Sequence, residues 1–430
     1  MIDRSGSSFG NHPEPDVFPQ TFFLTAPRTR RKKMAIASPP APHAGFQLAW
    51  RIAGAMFCRL VLNTARRFVY PFAPVISREL DVPLTAVTAM VAACQAAPLV
   101  GLISGPFADR WGYRRMMIGG LALVALGMSA AAIWPTYAVL TLAVVLASFG
   151  KTIYDPAIQA YVGARVPFER RGLVIGLLEF PWAGSTLIAI PLIGLLMDAG
   201  GWRMAPLSLA VAAMIGLLLM TRLFDPDSAP SVSTSRMLGT AWGALVARPE
   251  ALGALGFAFF ASAANDMLFI VYGAWLEGRF GLGLAALGLS TVVIGGAELL
   301  GEGLTVVAAD RLGIKRAALL GAALTMIAYA LLPVVGESLS GALVGLFAVF
   351  VAFEFTIVNC MSLATELLPG HRATMMSGFF VAAGLGRVCG ALLGVPIWQS
   401  GGIGSVGLTA AAATLIALLC LNRGLARWAR

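Results

Sequence analysis

Ionisable side chains inside long apolar runs are the residues of this sequence that are best placed to do chemistry. Glu298 and Glu302 lie four residues apart, a spacing that puts both carboxylates on one face of a helix. Two carboxylates that face the same low-dielectric space cannot both ionise cheaply. This pair is therefore expected to load and release a proton.

A second pair with the same spacing is Lys151 and Asp155, which are expected to form an ion pair along one helix face. Asp266 and Glu354 are further proton candidates, and Arg387 is the expected counter-charge in the C-terminal half. An ionised side chain at the bilayer centre costs about 2.5–3.5 kcal/mol on insertion scales, so such residues are expected to face protein or water. The remaining ionisable residues in this class are Arg59, Arg66, Arg67 and Glu179.

Some of these charges have a structural alternative as ion pairs between helices. Glu302 lies close enough in sequence to a charged turn to pair with Arg311 or Lys315 instead. Arg66 and Arg67 are adjacent, and helical spacing places adjacent residues on different faces. Only one of these two arginines is therefore expected at a central site, and the other is expected to face the extracellular vestibule.

Other chemistries are not indicated. The three histidines, His12, His43 and His371, lie outside the apolar runs, and the five cysteines form no C-x-x-C pair. We therefore expect no metal site, no cofactor and no enzymatic nucleophile–base pair at membrane depth. Residues 149–152, FGKT, end like a phosphate-binding loop, but Val145 replaces the leading glycine and the stretch lies in an apolar run. ATP binding is not predicted.

Long apolar runs must position these side chains. The chain is 58% hydrophobic and only 12% charged, about half the charge of a soluble domain. Runs of about 20 apolar residues predict helices that span a bilayer, because each must satisfy its own backbone there. The sequence predicts an all-α membrane protein with twelve spans, at 52–77, 84–107, 115–135, 137–161, 171–197, 203–223, 249–275, 283–308, 316–336, 339–362, 373–397 and 403–422.

Basic residues between the runs predict the orientation of the chain. The net charge is +10, but Lys and Arg lie in short segments between runs, which indicates topology rather than nucleic-acid binding. One side carries the N-terminal tail and most of the charged turns, whereas the other carries Arg78, Arg203 and Arg279. Because Lys and Arg concentrate on the cytoplasmic side, both termini are predicted to be cytoplasmic.

Polar segments divide the chain into parts. The Pro- and Ser-rich composition of the N-terminal tail predicts disorder, and the longest polar interruption predicts a linker between two six-helix bundles. The predicted parts are a basic tail at 1–47, an N-terminal bundle at 48–223, a cytoplasmic linker at 224–248, a C-terminal bundle at 249–422 and a cytoplasmic tail at 423–430.

A charged turn recurs in the two halves. Residues 109–115 read DRWGYRR and residues 310–316 read DRLGIKR, an offset of 201 residues. Residues 167–170 and 369–372, PFER and PGHR, are offset by 202 residues. Two motifs with nearly one shift indicate an internal repeat of six helices about a central pathway, the plan of many secondary transporters.

The turn GPFADRWG at residues 105–112 resembles the signature loop of the major facilitator superfamily. The twelve spans, the repeat and the linker are similar to that family as well, over about residues 50–425. Tyr113 and Ile314 depart from it, since the family usually has a basic residue there, and Val306 replaces the leading glycine of the second copy.

The resemblance implies that the turn latches one conformation during alternating access, whereas anchoring of the topology alone is the alternative. The residues of this conformational switch are Gly105, Asp109, Arg110, Gly112, Arg114, Arg115, Asp310, Arg311, Gly313, Lys315 and Arg316.

The resemblance also implies a division of labour among the helices. In this fold the first, fourth, seventh and tenth helices line a central cavity, and the second, fifth, eighth and eleventh flank it. The other four support the bundle from outside and face lipid. The ionisable residues follow this division, because the third, sixth, ninth and twelfth spans carry none in their interiors.

The activity that the resemblance implies is secondary active transport of a small organic molecule, with proton-coupled export as the favoured form. The expected protein is a monomer of a bacterial inner membrane. The exporter pattern of the fifth helix is only partial, because Ile190 precedes Pro191, so proton-coupled uptake is an alternative. A membrane sensor or scaffold is the alternative outside the transporter class.

Overall fold

The computed structural model describes residues 42–97, 112–165, 174, 177–224, 245, 247–368 and 372–428. Residues 1–41 of the predicted N-terminal tail, most of the linker, and Gly105, Asp109 and Arg110 of the charged turn lie outside the described residues, whereas residues 42–47 of that predicted tail form the start of the first helix. The side chain of Asp310 also lies outside the described residues.

The N-terminal half is built from helices that follow the predicted spans. Its first helix has two parts, which Phe68 joins with helical dihedrals (φ −60°, ψ −26°). The fifth contains a π-helical turn at Ser185–Ala189, a feature often found at functional sites. These helices are α1a (Pro42–Arg67), α1b (Val69–Glu79), α2 (Leu84–Gln95), α3 (Tyr113–Ile133), α4 (Tyr137–Arg165), α5 (Leu177–Gly200) and α6 (Met204–Leu223).

The C-terminal half continues the series with α7 (Pro249–Phe280), α8 (Leu284–Leu312), α9 (Ile314–Val335) and α10 (Leu339–Leu367). A last helical stretch, Arg372–Gly424, breaks at Gly401 (φ −167°, ψ 27°) and Gly402 (φ 64°, ψ −155°). We number its two arms α11 (372–400) and α12 (403–424).

Nine helices in the described part of the chain are long and apolar enough to cross a membrane. The last of these contains both α11 and α12. Helix α1a carries four arginines, and the described part of α2 is short, so neither is among the nine. The all-α membrane fold is confirmed, and the helices are consistent with the predicted twelve spans.

The charged turns of the two halves have the same local structure. Gly112 (φ 91°, ψ 147°) and Gly313 (φ 76°, ψ 142°) occupy equivalent positions in a backbone region that favours glycine. Arg114 Nη2 donates to the carbonyl of Thr221 at the end of α6, at 2.8 Å. Its counterpart Lys315 donates through Nζ to the carbonyl of Leu425, just beyond α12, at 2.7 Å. Each half thus uses a basic residue to satisfy free carbonyls at the end of its sixth helix.

Large apolar side chains cover the outside of the bundle. Helix α3 exposes Leu126 at 68%, and α12 exposes Leu408 at 61%. Inside the C-terminal half, small residues let α11 approach α7 closely, because a Cβ at Gly386 or Gly390 would overlap carbonyl oxygens of α7. With apolar side chains on the outside and closely packed helices within each half, polar side chains are concentrated at the centre of the molecule.

Candidate substrate cavity

A cavity of about 810 Å³ lies between the two halves. Its described lining comes from α1 (α1a and α1b together), α2, α4 and α5 on one side and from α7, α8, α10 and α11 on the other. None of the described lining comes from α3, α6, α9 or α12. The division of labour expected for the helices is therefore the one observed. The lining includes all ten predicted pathway residues: Arg59, Arg66, Lys151, Asp155, Glu179, Asp266, Glu298, Glu302, Glu354 and Arg387.

Four charged residues of the N-terminal half form one network. Arg59 is 4% exposed and contacts two carboxylates, with Nε 3.1 Å from Asp155 Oδ1 and Nη1 2.8 Å from Glu179 Oε1. Lys151 Nζ donates to Asp155 Oδ2 at 2.6 Å, so the pair predicted from four-residue spacing is present. The network has two basic and two acidic members, so its charges balance. Its contacts connect α1, α4 and α5.

A buried ion pair joins the two halves. Arg67 binds Glu298 with two hydrogen bonds, one from Nη1 to Oε2 at 3.2 Å and one from Nη2 to Oε1. Thr186, in the π-helical turn of α5, donates to the same carboxylate at 3.0 Å. The guanidinium also lies 4.3 Å from the ring centroid of Trp182, a cation–π geometry. The pair links α1 and α5 to α8.

Asp266 of α7 is the centre of a second connection between the halves. Tyr70 donates to Asp266 Oδ1 at 2.7 Å, and Gln95 Nε2 donates to the Tyr70 hydroxyl at 2.6 Å. Arg387 Nε lies 3.7 Å from Asp266 Oδ2, as expected of the counter-charge in this half. Arg66 completes the arrangement, since its Nη2 donates to Gln95 Oε1 at 2.9 Å.

Glu302 and Glu354 differ from the other carboxylates of the cavity. Neither makes a hydrogen bond or an ion pair with any other described residue, including Arg311 and Lys315, the alternative partners of Glu302. Helices α8 and α10 touch beside them, because a Cβ at Gly301 would lie 2.8 Å from Cβ of Glu354. Since Glu298 is held by Arg67, Glu302 is the unpaired member of the i,i+4 pair.

The expectation that only one of Arg66 and Arg67 lies at the central site is wrong. Both line the cavity, Arg66 towards α2 and α4 and Arg67 towards α5 and α8. Adjacent helix positions do point to different faces, but the cavity extends along two faces of α1. The long arginine side chains reach it from both of these faces.

Contacts between the halves close one end of the cavity. Gly273 of α7 packs on the carbonyl of Pro71, and the rings of Tyr70 and Phe269 are 4.2 Å apart. At the other end, Gln159 and Phe380 are exposed, and they lie near the loops predicted to be cytoplasmic. Among the described residues, the cavity is thus closed at the predicted extracellular end and accessible from the predicted cytoplasmic end.

Gly295 of α8 provides a test of this closure. A Cβ there would lie 2.6 Å from Thr186 Oγ1 and 2.7 Å from Leu187 Cγ, whereas one at Gly296 would meet nothing within 4 Å. Gly295→Ala is expected to lower the free energy of unfolding by about 1–3 kcal/mol through overpacking. Gly296→Ala, its matched control, is expected to be neutral or to stabilise by about 0.5–1 kcal/mol. Thermal unfolding of both purified variants measures the difference, and equal behaviour would contradict the close packing of α5 on α8.

An exposed ion pair at the closed end is predicted to contribute little to the free energy of unfolding. Arg78 binds Glu277 with two hydrogen bonds of 2.9 and 2.7 Å, but the arginine side chain is 60% exposed. Because water and salt screen such a pair, Glu277→Gln is expected to cost at most about 1 kcal/mol. The effect should disappear at high salt, and thermal unfolding at two ionic strengths checks both points. A larger loss of stability that does not depend on salt would show that this pair contributes strongly to holding the two halves together.

Several uncharged residues of the cavity escaped the sequence analysis. Gln95 and Trp182 take part in the networks above, and Asn63, Ser262 and Asn265 line the cavity with buried polar atoms. A single amide or hydroxyl lowers the mean hydropathy of an apolar run only slightly, so it does not stand out in the sequence. The only signal for these residues was a polar side chain at a position where a helix that faces lipid would have an apolar one.

Comparison with known proteins agrees with this architecture. The sequence model of the Major Facilitator Superfamily matches residues 55–301, more than half of the chain. The uncharacterized MFS-type transporter YceJ of Bacillus subtilis (strain 168) is 24% identical over 59% of this chain and 64% of its own length, less than two thirds of that protein. The uncharacterized transporter YgaY of Escherichia coli O157:H7 is 23% identical over 84% of this chain and 92% of its own length.

Solved structures show the same fold at low sequence identity. A bacterial homolog of the human lysosomal transporter Spinster, in an inward-facing and unoccupied conformation, has a TM-score of 0.70 at 13% identity and covers 90% of this chain and 97% of its own. The nucleoside transporter NupG has a TM-score of 0.72 at 14% identity, with 89% of this chain and 100% of its own covered.

Proposed function

The chain belongs to the Major Facilitator Superfamily, and we propose that it is a proton-coupled secondary active transporter that exports a small organic molecule by alternating access. It is an integral multi-pass membrane protein with a small-molecule substrate, as that family implies, and a transporter rather than an enzyme.

The observation that carries the proposal is a central cavity closed at one end by contacts between two similar halves. A volume of about 810 Å³ falls within the range of cavities that bind small organic molecules. The closing contacts, at Gly273, Gly295 and the Arg67–Glu298 pair, connect one half to the other. Rocking of the halves would break them and open the other side, which is how repeat-built transporters alternate access.

Proton coupling is supported by the two carboxylates that have no partner in the described part of the chain. Glu302 and Glu354 lie in the cavity, where water can reach them from its accessible end. A carboxylate that is not committed to an ion pair can take up and release a proton without dismantling the structure around it. Glu298, Asp155 and Asp266 lack this freedom because each contacts a basic residue.

The proposed arrangement in the cell follows the basic residues. We place the protein in the inner membrane of a bacterium as a monomer, with both termini cytoplasmic. The bundles at 48–223 and 249–422 move as units joined by the linker at 224–248. The charged turns at Gly112 and Gly313 act as the conformational switch, a role that the cation–carbonyl contacts of Arg114 and Lys315 support.

Reconstitution tests the coupling and the direction together. A ligand is first identified by screening compounds for thermal stabilisation of the purified protein, since a ligand of the folded state raises its apparent stability. Proteoliposomes with an imposed pH gradient are then loaded with that ligand. Export requires that ligand and protons move in opposite directions, and the flux must stop when an ionophore collapses the gradient.

Uptake by proton symport is the second candidate, and Ile190 beside Pro191 in α5 is the observation that favours it, because it departs from the exporter pattern. Movement of ligand and protons in the same direction would establish symport. Ligand flux without proton flux would contradict coupling altogether. A ligand that stabilises the protein but is never transported would favour a sensor or scaffold.

A further inference from the structure

We propose that the wall of the cavity formed by α8 and α10 binds an aromatic organic cation, with Glu302 and Glu354 holding its positive charge. The inference rests on the proposed transport function and names the substrate class of that cavity. It depends on which charges of the cavity are already neutralised, on the aromatic side chains that line the same cavity, and on buried polar groups that lack a partner.

The basic groups of the cavity are already engaged. Arg59 and Lys151 contact Asp155, and Arg59 also contacts Glu179. Arg67 contacts Glu298, and Arg387 contacts Asp266. Arg66 donates to Gln95 and Ser148. At the other four basic groups an anionic ligand would have to displace a carboxylate partner and leave it uncompensated, which is costly. At Arg66, whose partners are neutral, it would have to displace the hydrogen bonds to Gln95 and Ser148.

The acidic groups are not all engaged, and this asymmetry sets the sign of the ligand. The charged groups that act on Glu302 are Glu298, Glu179 and Arg67, and those that act on Glu354 are Glu298, Glu302, Arg67 and Arg387. Arg67, Glu298, Glu179 and Arg387 all belong to the ion pairs above. The two unpaired carboxylates therefore face each other's negative charge, which a cation placed between them would relieve.

Aromatic side chains line the same cavity. Phe353 and Phe350 of α10 and Phe379 and Phe380 of α11 line the cavity, and Phe380 is 48% exposed. A cation over an aromatic face gains about 0.5–2 kcal/mol, and more when it is desolvated. Flat aromatic groups on the ligand would also bury apolar surface against these rings. Acidic and aromatic groups together favour an organic cation over an inorganic one.

Buried polar atoms without partners point independently to a ligand with hydrogen-bonding groups. Asn63, at 1% exposure, leaves both atoms of its amide without a partner in the described part of the chain. Ser262 Oγ and Asn265 Oδ1, on α7, also lack one, and all three residues line the cavity. A buried polar group without a partner costs about 1–3 kcal/mol, which a ligand that bonds to it recovers.

Cation binding and proton loading would then compete at one place. A cation binds between the carboxylates when they are ionised, and protons that neutralise them expel it. No covalent step is involved, and a monovalent cation exchanges against one or two protons. This competition would couple the two fluxes in opposite directions, as export requires.

Tetraphenylphosphonium and tetraphenylborate test the inference, because the two ions have the same shape and opposite charge. Tetraphenylphosphonium is expected to raise the melting temperature of the purified wild-type protein at pH 8, and tetraphenylborate is not. The double variant Glu302→Gln/Glu354→Gln is expected to bind the cation at least about tenfold more weakly, since both attractive charges are lost. Glu337→Gln, an exposed carboxylate at the turn between α9 and α10, is the matched control and should bind as the wild type does.

A second measurement separates a charge effect from a shape effect. Lowering the pH from 8 to 5 should weaken cation binding to the wild type, because protonation removes the negative charge, but should leave the double variant unchanged. Stabilisation by tetraphenylborate alone, no binding of either ion, or unaltered cation binding in the double variant would each overturn the inference. Binding can be measured without a gradient, so it is tested separately from transport. A cation that binds but is not transported in proteoliposomes would support the cation site and contradict the proposed transport function.

Discussion

Arg67→Met is expected to lower the free energy of unfolding by about 3–5 kcal/mol, the cost of leaving one partner of a buried ion pair uncompensated. The side chains of Arg67 and Glu298 are 6% and 4% exposed, so water cannot replace the lost partner. Of the residues that the structure describes, Thr186 alone would remain to donate to the Glu298 carboxylate. Thermal unfolding of the purified variant measures the loss, which should far exceed that of the exposed Arg78–Glu277 pair.

The double variant Arg67→Met/Glu298→Met is the control for this prediction. Replacing both partners of a buried pair with apolar side chains of similar volume is often neutral or stabilising. The double variant should therefore recover most of the stability but lose a link between the halves at the closed end. Cys94 lines the cavity and is 4% exposed, so its labelling by an impermeant maleimide from the extracellular side should increase. A double variant as unstable as the single one would show that the pair is not an isolated unit.

Glu354→Gln is expected to abolish accumulation driven by a pH gradient while leaving exchange of the ligand across the membrane intact. Exchange of one proton for one ligand across about 2 pH units supports about a 100-fold concentration ratio, because each unit corresponds to about a factor of ten. Because the two carboxylates are proposed to act as one proton site, loss of Glu354 leaves no proton to exchange, and the ratio should fall to about one. Glutamine keeps the shape of the side chain, and Glu302 remains to hold the ligand, so exchange at saturating ligand should persist.

Parallel measurements on two other variants make this result specific. Glu302→Gln is expected to behave like Glu354→Gln if the two carboxylates act as one proton site, and Glu337→Gln should keep the full ratio. Accumulation is measured in proteoliposomes with the ligand found by thermal stabilisation. Full accumulation by both single variants would contradict a shared site, and full accumulation by Glu302→Gln/Glu354→Gln would exclude the α8–α10 wall as the proton site and leave Asp266 as the next candidate.

Much of the architecture could be predicted from local patterns. Apolar runs predicted the helices, because a lipid environment demands that each run satisfy its own backbone. The recurrence of the charged turn predicted two halves of similar build, and Gly112 and Gly313 do share a positive φ at equivalent positions. The family resemblance, with which the absence of ionisable residues from four spans agreed, predicted which helices stay out of the cavity.

The sequence alone determined which residues share a helix face, because a fixed helical pitch brings i and i+4 together, as in the Lys151–Asp155 pair. Only the tertiary structure decided which carboxylates are free. Glu298 and Glu302 share a face, yet one binds an arginine 231 positions away and the other has no partner in the described part of the chain. Likewise, Asp266 accepts from Tyr70, which no spacing rule connects to it. Which partners meet across helices depends on how closely whole helices pack, at contacts such as Gly295 on Thr186, and that packing has no local signature in the sequence.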